Sequence, residues 1–269
     1  QMRLGIERVE AVLPRVGEVP LGGTAVGASN PIGGMGVMMF GPTLLEYGSE
    51  AQKREWLEPL LRGEIRSAFG MTEPGVASSD ATNMEARAER QGDDWVINGS
   101  KQFITNSGTD ISRLVTVTAV TGEAEGRKEI SSILVPTDTP GFVAEPAYNK
   151  VGWNASDTHP LTFQDVRVPE ENLLGERGRG YANFLRILDE GRIAIAALAV
   201  GAAQGCVDES VKYAKERQAF GQNIGAYQAI QFKIARMEAR AHAARSAYYN
   251  AAALMLAGKP FKKAASVAK

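Results

Sequence analysis

Cysteine and histidine are scarce: Cys206, His159 and His242 are the only residues of those types in 269. One thiol closes no internal disulfide, which fits a reducing compartment. Two isolated histidines and a distant cysteine do not make a structural zinc site, whose ligands come in close pairs. Charge of one sign is lacking too, since 30 Lys plus Arg stand against 31 Asp plus Glu, a formal net charge of −1. Without a basic excess nothing draws a nucleic acid or an anionic membrane, and neither is expected as a partner. Uninterrupted apolar runs are short, and the stretch 193–201 falls well below the ~20 residues that a bilayer-spanning helix needs. No basic-then-apolar leader opens the chain, and Gln1 stands where a methionine would, so a processed, truncated or engineered piece is expected. Generic phosphate motifs are also missing. No GxxxxGK[ST] occurs. The glycines of GERGRG (175–180) come in the wrong order for a dinucleotide fingerprint and outside a βαβ unit, so this run reads as a loop.

What remains is an ordinary globular composition, 44% hydrophobic, in three regimes. Residues 1–66 have a helical pattern broken by glycine, and SEAQKREWLEPL predicts a helix over about 49–61. Ser49 is its N-cap, with Trp56, Leu57, Leu60 and Leu61 near one face. Residues 67–173 change period. DDWVING, SSILV, GFVAE and LTFQDVRV are short β-rich runs, separated by turn signals at Asn98-Gly99 and Thr139-Pro140-Gly141. They predict an antiparallel β-barrel or sandwich. From about Tyr181 the chain is helical, first to about Gln218, then from about Ala226 to a C-cap at Gly258 ahead of Pro260. Small residues from Ala194 to Gly205 predict close helix packing, and Ile230, Ile234 and Met237 a core stripe. The fold class is therefore α+β: a helical N-terminal part (1–66), a β middle domain (67–173) and a C-terminal helical bundle (174–269).

The informative run is FGMTEPGVASSDATN, 69–83. By its residues alone it is either a solvated loop or a polar loop able to hold a phosphate or a flavin edge. With its surroundings it resembles the flavin and acyl-CoA signature of the acyl-CoA dehydrogenases. Three further matches follow in that family's order. INGSKQFITNSG (97–108) is similar to a strand pair ending in a Trp-Ile-Thr flavin contact, with Phe103 in place of the tryptophan. LDEGRIAIAALAVGAAQGCVDESVKYAKERQAFG (188–221) is similar to the long helix that starts at the substrate and ends in Arg-x-x-Phe-Gly. YQAIQFKIARMEARAHAAR (227–245) is similar to the next helix of the bundle. The resemblance covers about residues 31–269, as an incomplete acyl-CoA dehydrogenase fold.

It implies FAD as cofactor, with Phe69, Met71 and Thr72 at one side of the isoalloxazine and Phe103, Ile104 and Thr105 at its other edge. It implies an acyl-CoA substrate touched by Ser78 or Ser79 and by Asp189, Glu190, Gly191 and Arg192. Arg217, Phe220 and Gln228 match residues that reach the FAD of a neighbouring subunit, so a homodimer or homotetramer is implied. A guanidinium suits a pyrophosphate, being always charged and able to donate two parallel hydrogen bonds. The implied reaction is α,β-dehydrogenation with hydride passing to flavin N5, and an electron-transferring flavoprotein as the next acceptor. The implied setting is the cytoplasm, or the mitochondrial matrix in a eukaryote.

Two departures stand out. Residues 1–27 resemble a segment of class II fumarases with its Gly-Gly-Thr-Ala-Val-Gly loop, but no Gly-Ser-Ser catalytic loop follows. A fumarase-like lyase is the distant alternative, and a chimeric or mis-assigned N-terminus the first explanation. The other departure concerns the base. The family's glutamate sits in a late Tyr-Glu-Gly-Thr-like loop, expected beyond Lys269, or in some members on the long helix just before the arginine matching Arg192. Here that helix position is Gly191, and Glu190 points about 100° away around the helix. A truncated or chimeric fragment without turnover is thus the nearer alternative.

Overall fold

The computed structural model describes residues 35–76, 80, 83–154 and 156–269. These fall into two compact units, one over 27–188 and one that includes 189–269.

The first unit opens with α1 (Met35–Tyr47), followed by a helical run made of α2 (Glu50–Gln52), a π turn (Lys53–Leu57) and α3 (Glu58–Arg62). Ser49 caps this run as its position predicts. Its hydroxyl accepts from the Gln52 amide at 3.2 Å while the Gln52 side chain accepts from the Ser49 amide at 2.9 Å, a reciprocal capping box. At the other end Gly63 lies at φ 75°, where a side chain would be strained, and its amide closes onto Leu60. Leu57 and Leu60 join Phe40, Leu44, Leu114, Leu134 and Leu174 in a core cluster. Leu61, expected on the same face, is 45% exposed, because the wide π turn shifts the phase of the side chains after it.

The β strands are β1 (Arg66–Gly70), β2 (Arg87–Gln91), β3 (Asp94–Thr105), β4 (Ser112–Ala124), β5 (Arg127–Pro136), β6 (Phe142–Ala144), β7 (Thr158–Pro169) and β8 (Leu173–Leu174). They form one sheet in the order β6-β7-β3-β2-β4-β5-β8, with β1 also paired to β4. Two expectations are corrected. The sheet is mixed, since β1 runs parallel to β4 (Phe69 opposite Thr116) and β2 meets β4 in parallel at Arg87 and Val120. Strand direction leaves no mark in a run as short as Arg66–Gly70. Nor does the path close on itself among the described residues, so no barrel is found. The core is drawn from both ends of the sheet order: Ile97, Val115, Val117, Ile133, Val135, Leu161 and Phe163.

Asn98-Gly99, expected as a turn, lies inside the continuous strand β3. The pairing with β7 shifts register between Ile97 and Gly99. There the Asn98 carboxamide donates to the Asp165 carboxylate at 3.0 Å and accepts from the Asp165 amide at 2.9 Å. This is a bulge, for which the same dipeptide is suited, because Gly99 takes φ 139° where it meets Ala86 closely. The Thr139-Pro140-Gly141 turn forms, with the Phe142 amide donating to Thr139. GERGRG forms a loop whose Gly178 amide donates to the Ser131 hydroxyl at 2.9 Å.

Helix α4 (Gly180–Glu216) begins in the first unit and continues through the second. A short hairpin follows, β9 (Gln218–Ala219) and β10 (Gln222–Asn223), then α5 (Gln228–Leu256) and α6 (Lys262–Ala268). The small residues of α4 do pack closely, since Ala196, Ala197 and Val200 share a cluster with Tyr248, Ala251 and Ala265. By length and composition alone α4 is apolar enough to cross a bilayer, although its uninterrupted apolar runs are short. Ile230, Ile234 and Met237 are half-buried rather than core. Two long helices and one short one do not enclose every face. Gly258 ends α5 at φ 65°, with its amide bonded to Met255 and that of Lys259 to Leu254, the Schellman arrangement that Gly ahead of Pro signals.

Candidate functional site

In the first unit the chain brings the two motif segments side by side. The Gln102 amide donates to the Thr72 carbonyl at 2.8 Å, and the Gln102 carboxamide donates to the Glu73 carbonyl at 3.1 Å. Residues 72–73 are therefore tied to Gln102, which directly precedes 103–105. Phe69, at the end of β1, turns its ring into the core, 4.4 Å from the ring of Phe184 and edge-on to Phe40. Its side chain supports the segment from beneath. Met71 and Thr72 are half-buried, and no hydrogen bond from the Thr72 amide or hydroxyl is found among the described residues.

On β3 the side chains alternate, as a strand requires: Phe103 out at 59% exposure, Ile104 into the core, Thr105 out. Phe103 takes φ 58°, an uncommon conformation for a bulky residue that costs of order 1–3 kcal/mol unless its surroundings hold it. Its ring lies 5.1 Å from that of Tyr148. Sequence reasoning missed Tyr148. It also missed Trp153, exposed at φ 56° in the loop before β7. Backbone sign is not written in the sequence, so no signal could have found it. Ser78 and Ser79 lie outside the described residues.

Also missed was a buried ion pair at the root of the two segments. Lys101 is 0% exposed and Glu73 5%, with 2.7 Å between Nζ and Oε1. Lys101 donates further to the Met71 carbonyl at 3.2 Å, and Glu73 accepts from the amides of Glu85 at 2.7 Å and Ala86 at 3.1 Å. Burial pushes the Lys101 ammonium down to about 8, while the Glu73 carboxylate pulls the other way. Between about pH 8 and the ordinary lysine range the unfolded chain binds the proton that the folded chain has lost. Stability therefore rises with pH across that window. Urea unfolding should show the protein gaining about 2 kcal/mol relative to Lys101→Met between pH 8 and 9.5. A flat difference would show that the ammonium is not held down.

In the second unit, Asp189, Glu190, Gly191 and Arg192 follow one another on α4. Arg192 is paired with Asp189, which also lies 4.0 Å from Lys262, and Gly191 is buried. Arg217 follows the end of α4, exposed and with no ion pair among the described residues. Phe220 and Gly221 form the turn of the β9–β10 hairpin at φ 50° and 81°, leaving the Phe220 ring 98% exposed. Two successive positive φ values define the tight hairpin turn that prefers Asn-Gly, so a phenylalanine there is held against its backbone preference. Gln228 opens α5 two residues beyond the 3-10 turn Ile224–Ala226 and is exposed. Among the described residues no cluster of His, Cys, Asp and Glu could hold a metal ion.

Models of the "Acyl-CoA dehydrogenase, middle domain" and of the "Acyl-CoA dehydrogenase, C-terminal domain" match residues 68–166 and 178–269. The chain belongs to the acyl-CoA dehydrogenase family. It is 45% identical over 248 residues to the probable acyl-CoA dehydrogenase YngJ of Bacillus subtilis (strain 168), covering 92% of this chain and 64% of that one. The solved butyryl-CoA dehydrogenase from Megasphaera elsdenii superposes with a TM-score of 0.79 at 39% identity, over 86% of this chain and 60% of that one. A glutaryl-CoA dehydrogenase from Mycobacterium smegmatis in complex with FADH2 gives 0.76 at 32% identity, over 86% and 57%. The chain thus spans about three fifths of the length of these relatives. The resemblance of residues 1–27 to fumarases finds no support in these matches, and those residues lie outside the described ones.

Proposed function

We propose that this chain forms the flavin- and acyl-CoA-contacting part of an FAD-dependent enzyme that dehydrogenates an acyl-CoA thioester between Cα and Cβ. One observation carries the reading: Thr72 is bonded to Gln102, the residue before an exposed Phe103 held at positive φ, while the Thr72 amide and hydroxyl donate to nothing among the described residues. A planar, partly apolar ring system with acceptors on its rim fits that edge. FAD, when bound, supplies the acceptor for the β-hydrogen as hydride.

The chain's residues then bind, orient and exclude water. Met71 and Thr72 present main chain and hydroxyl to one side of the isoalloxazine, held up by Phe69. Phe103, Ile104 and Thr105 line its other edge, Ile104 by its main chain because its side chain is in the core. Ser78 or Ser79 and the stretch Asp189, Glu190, Gly191, Arg192 contact the acyl-CoA. Arg217, Phe220 and Gln228 reach the FAD of a neighbouring copy in a homodimer or homotetramer. The division at 66/67 and 173/174 into three domains belongs to the same reading. So do an electron-transferring flavoprotein as electron acceptor, the absence of nucleic-acid and membrane partners, and a cytoplasmic or mitochondrial-matrix setting. The base is assigned to none of residues 1–269.

The visible spectrum of the purified protein after incubation with FAD tests the reading, since a bound oxidised flavin absorbs near the blue and a protein that takes up none stays colourless. Arg217→Ala should weaken FAD retention about 10- to 100-fold while leaving the circular dichroism unchanged, because it removes a charge-assisted contact. Undiminished flavin content in that variant would remove Arg217 from the site.

A further inference from the structure

Two segments proposed to face the flavin come from places 30 residues apart in the chain, and something must fix the gap between them. The ladder between β3 and β7 does not do so. Its register shifts between Lys101 and Ile104, so Gln102 and Phe103 sit at the irregularity. What spans the gap is the group of contacts around Glu73 and Lys101. Lys101 Nζ reaches both the Glu73 carboxylate and the Met71 carbonyl, and Gln102 bonds Thr72 and Glu73 through main chain and side chain. Glu73 is itself fixed from the far side by the amides of Glu85 and Ala86. The Lys101 stem runs past Gly70, where an added Cβ would lie 3.4 Å from Lys101 Cγ, so the ammonium has no other course.

Such a pair is a poor choice for stability alone. Taking both charges out of water offsets most of their attraction, and a well-packed apolar pair of the same volume often serves as well or better. Its geometry serves another end, because its hydrogen bonds aim main-chain groups instead of filling the core.

We propose that the buried Glu73–Lys101 pair is a positioning device that sets the spacing between segments 71–72 and 103–105, and through them holds the flavin. The functional half of this rests on the flavin reading above. Both charged groups are buried, so the pair acts through the Met71 carbonyl, the Thr72–Gln102 hydrogen bond and the orientation of Phe103. Among the described residues, Glu73 is the one titratable group paired with Lys101.

Lys101→Met keeps the length of the stem and removes the charge. Glu73 is then buried without its counter-charge, which should lower the thermal midpoint even where the sheet stays folded. Amide exchange at Gln102, whose N–H bonds Thr72, should speed up about tenfold or more. FAD should bind about tenfold more weakly, with an altered visible band shape. Ile133→Ala, a cavity in the same sheet but on β5, is the comparison: it should lower the thermal midpoint by a similar amount yet leave Gln102 exchange and the flavin band as in the parent. If Lys101→Met alone fails to fold because Glu73 is left buried without its counter-charge, the double variant Glu73→Gln/Lys101→Met removes both charges and should fold with the same loose segments. Lys101→Met with parental Gln102 exchange, FAD affinity and band shape would overturn the proposal. A parent protein that takes up no FAD removes the flavin reading and the functional half with it, while Gln102 exchange still decides whether the pair positions the segments.

Discussion

Gly191→Glu is expected to speed the reduction of bound FAD by an acyl-CoA about 10²–10⁴-fold, the usual contribution of a positioned general base. The α-proton beside a thioester is only weakly acidic, and no carboxylate among the described residues is assigned as its base. Asp189 is engaged with Arg192 and Lys262, and Glu190 projects about 100° around the helix from position 191. Gly191 is buried on α4, so a carboxyl placed there would have its pKa raised toward neutrality, as a base working near pH 7 requires. Replacing a helical glycine also favours the helix by up to about 1 kcal/mol, which partly offsets the cost of burying the new group. Anaerobic bleaching of the flavin band after mixing with acyl-CoA measures the effect, with Gly191→Gln as the uncharged comparison. If the unmodified protein bleaches as fast as Gly191→Glu, a base is already in place and the assignment fails.

Gly99→Ala should cost about 3 kcal/mol and lower the thermal midpoint by about 10 °C. At φ 139° a side chain is strained, and the new Cβ would lie 2.8 Å from both Cα and Cβ of Ala86. The disturbance has a direction. Ala86 donates its amide to Glu73, so pushing Ala86 away pulls on the ion pair that sets the flavin-facing segments. Flavin retention should therefore suffer along with stability. Gly92→Ala is the comparison, since its φ of 65° carries strain but nothing lies within 4 Å, and about 1 kcal/mol is expected. Equal losses in the two variants would show that the contact with Ala86 is soft.

What the sequence made legible was local. The Ser49 cap and the Gly258 terminus rest on a few neighbouring residues whose chemistry admits one arrangement, and both helix ends fall where those residues put them. The Asn98-Gly99 dipeptide carried an equally local signal and misled, because its surroundings decided otherwise: the exchange with Asp165, 67 residues away, continues the strand through a bulge. Parallel pairing of β1 with β4 was illegible for the same reason. The motif residues were singled out by their order in the chain, whereas Glu73 and Lys101, 28 apart, had no period or spacing to join them. In Thr-Glu-Pro-Gly the glutamate read as part of a turn. Only burial reveals its carboxylate as an anchor. Phe103 was singled out by position, but its backbone conformation is imposed by neighbours that no sequence pattern names.

The open sheet has a further consequence. Its path ends in its shortest members, β6 with three residues on one side and β8 with two on the other. A long bare border would offer a row of free amides and carbonyls onto which another chain could stack. Each of these end strands has few such groups of its own, a short template for a growing fibre. Short end strands are one means by which a sheet limits stacking on other chains, and concentrated solutions should stay clear on warming until the core itself gives way.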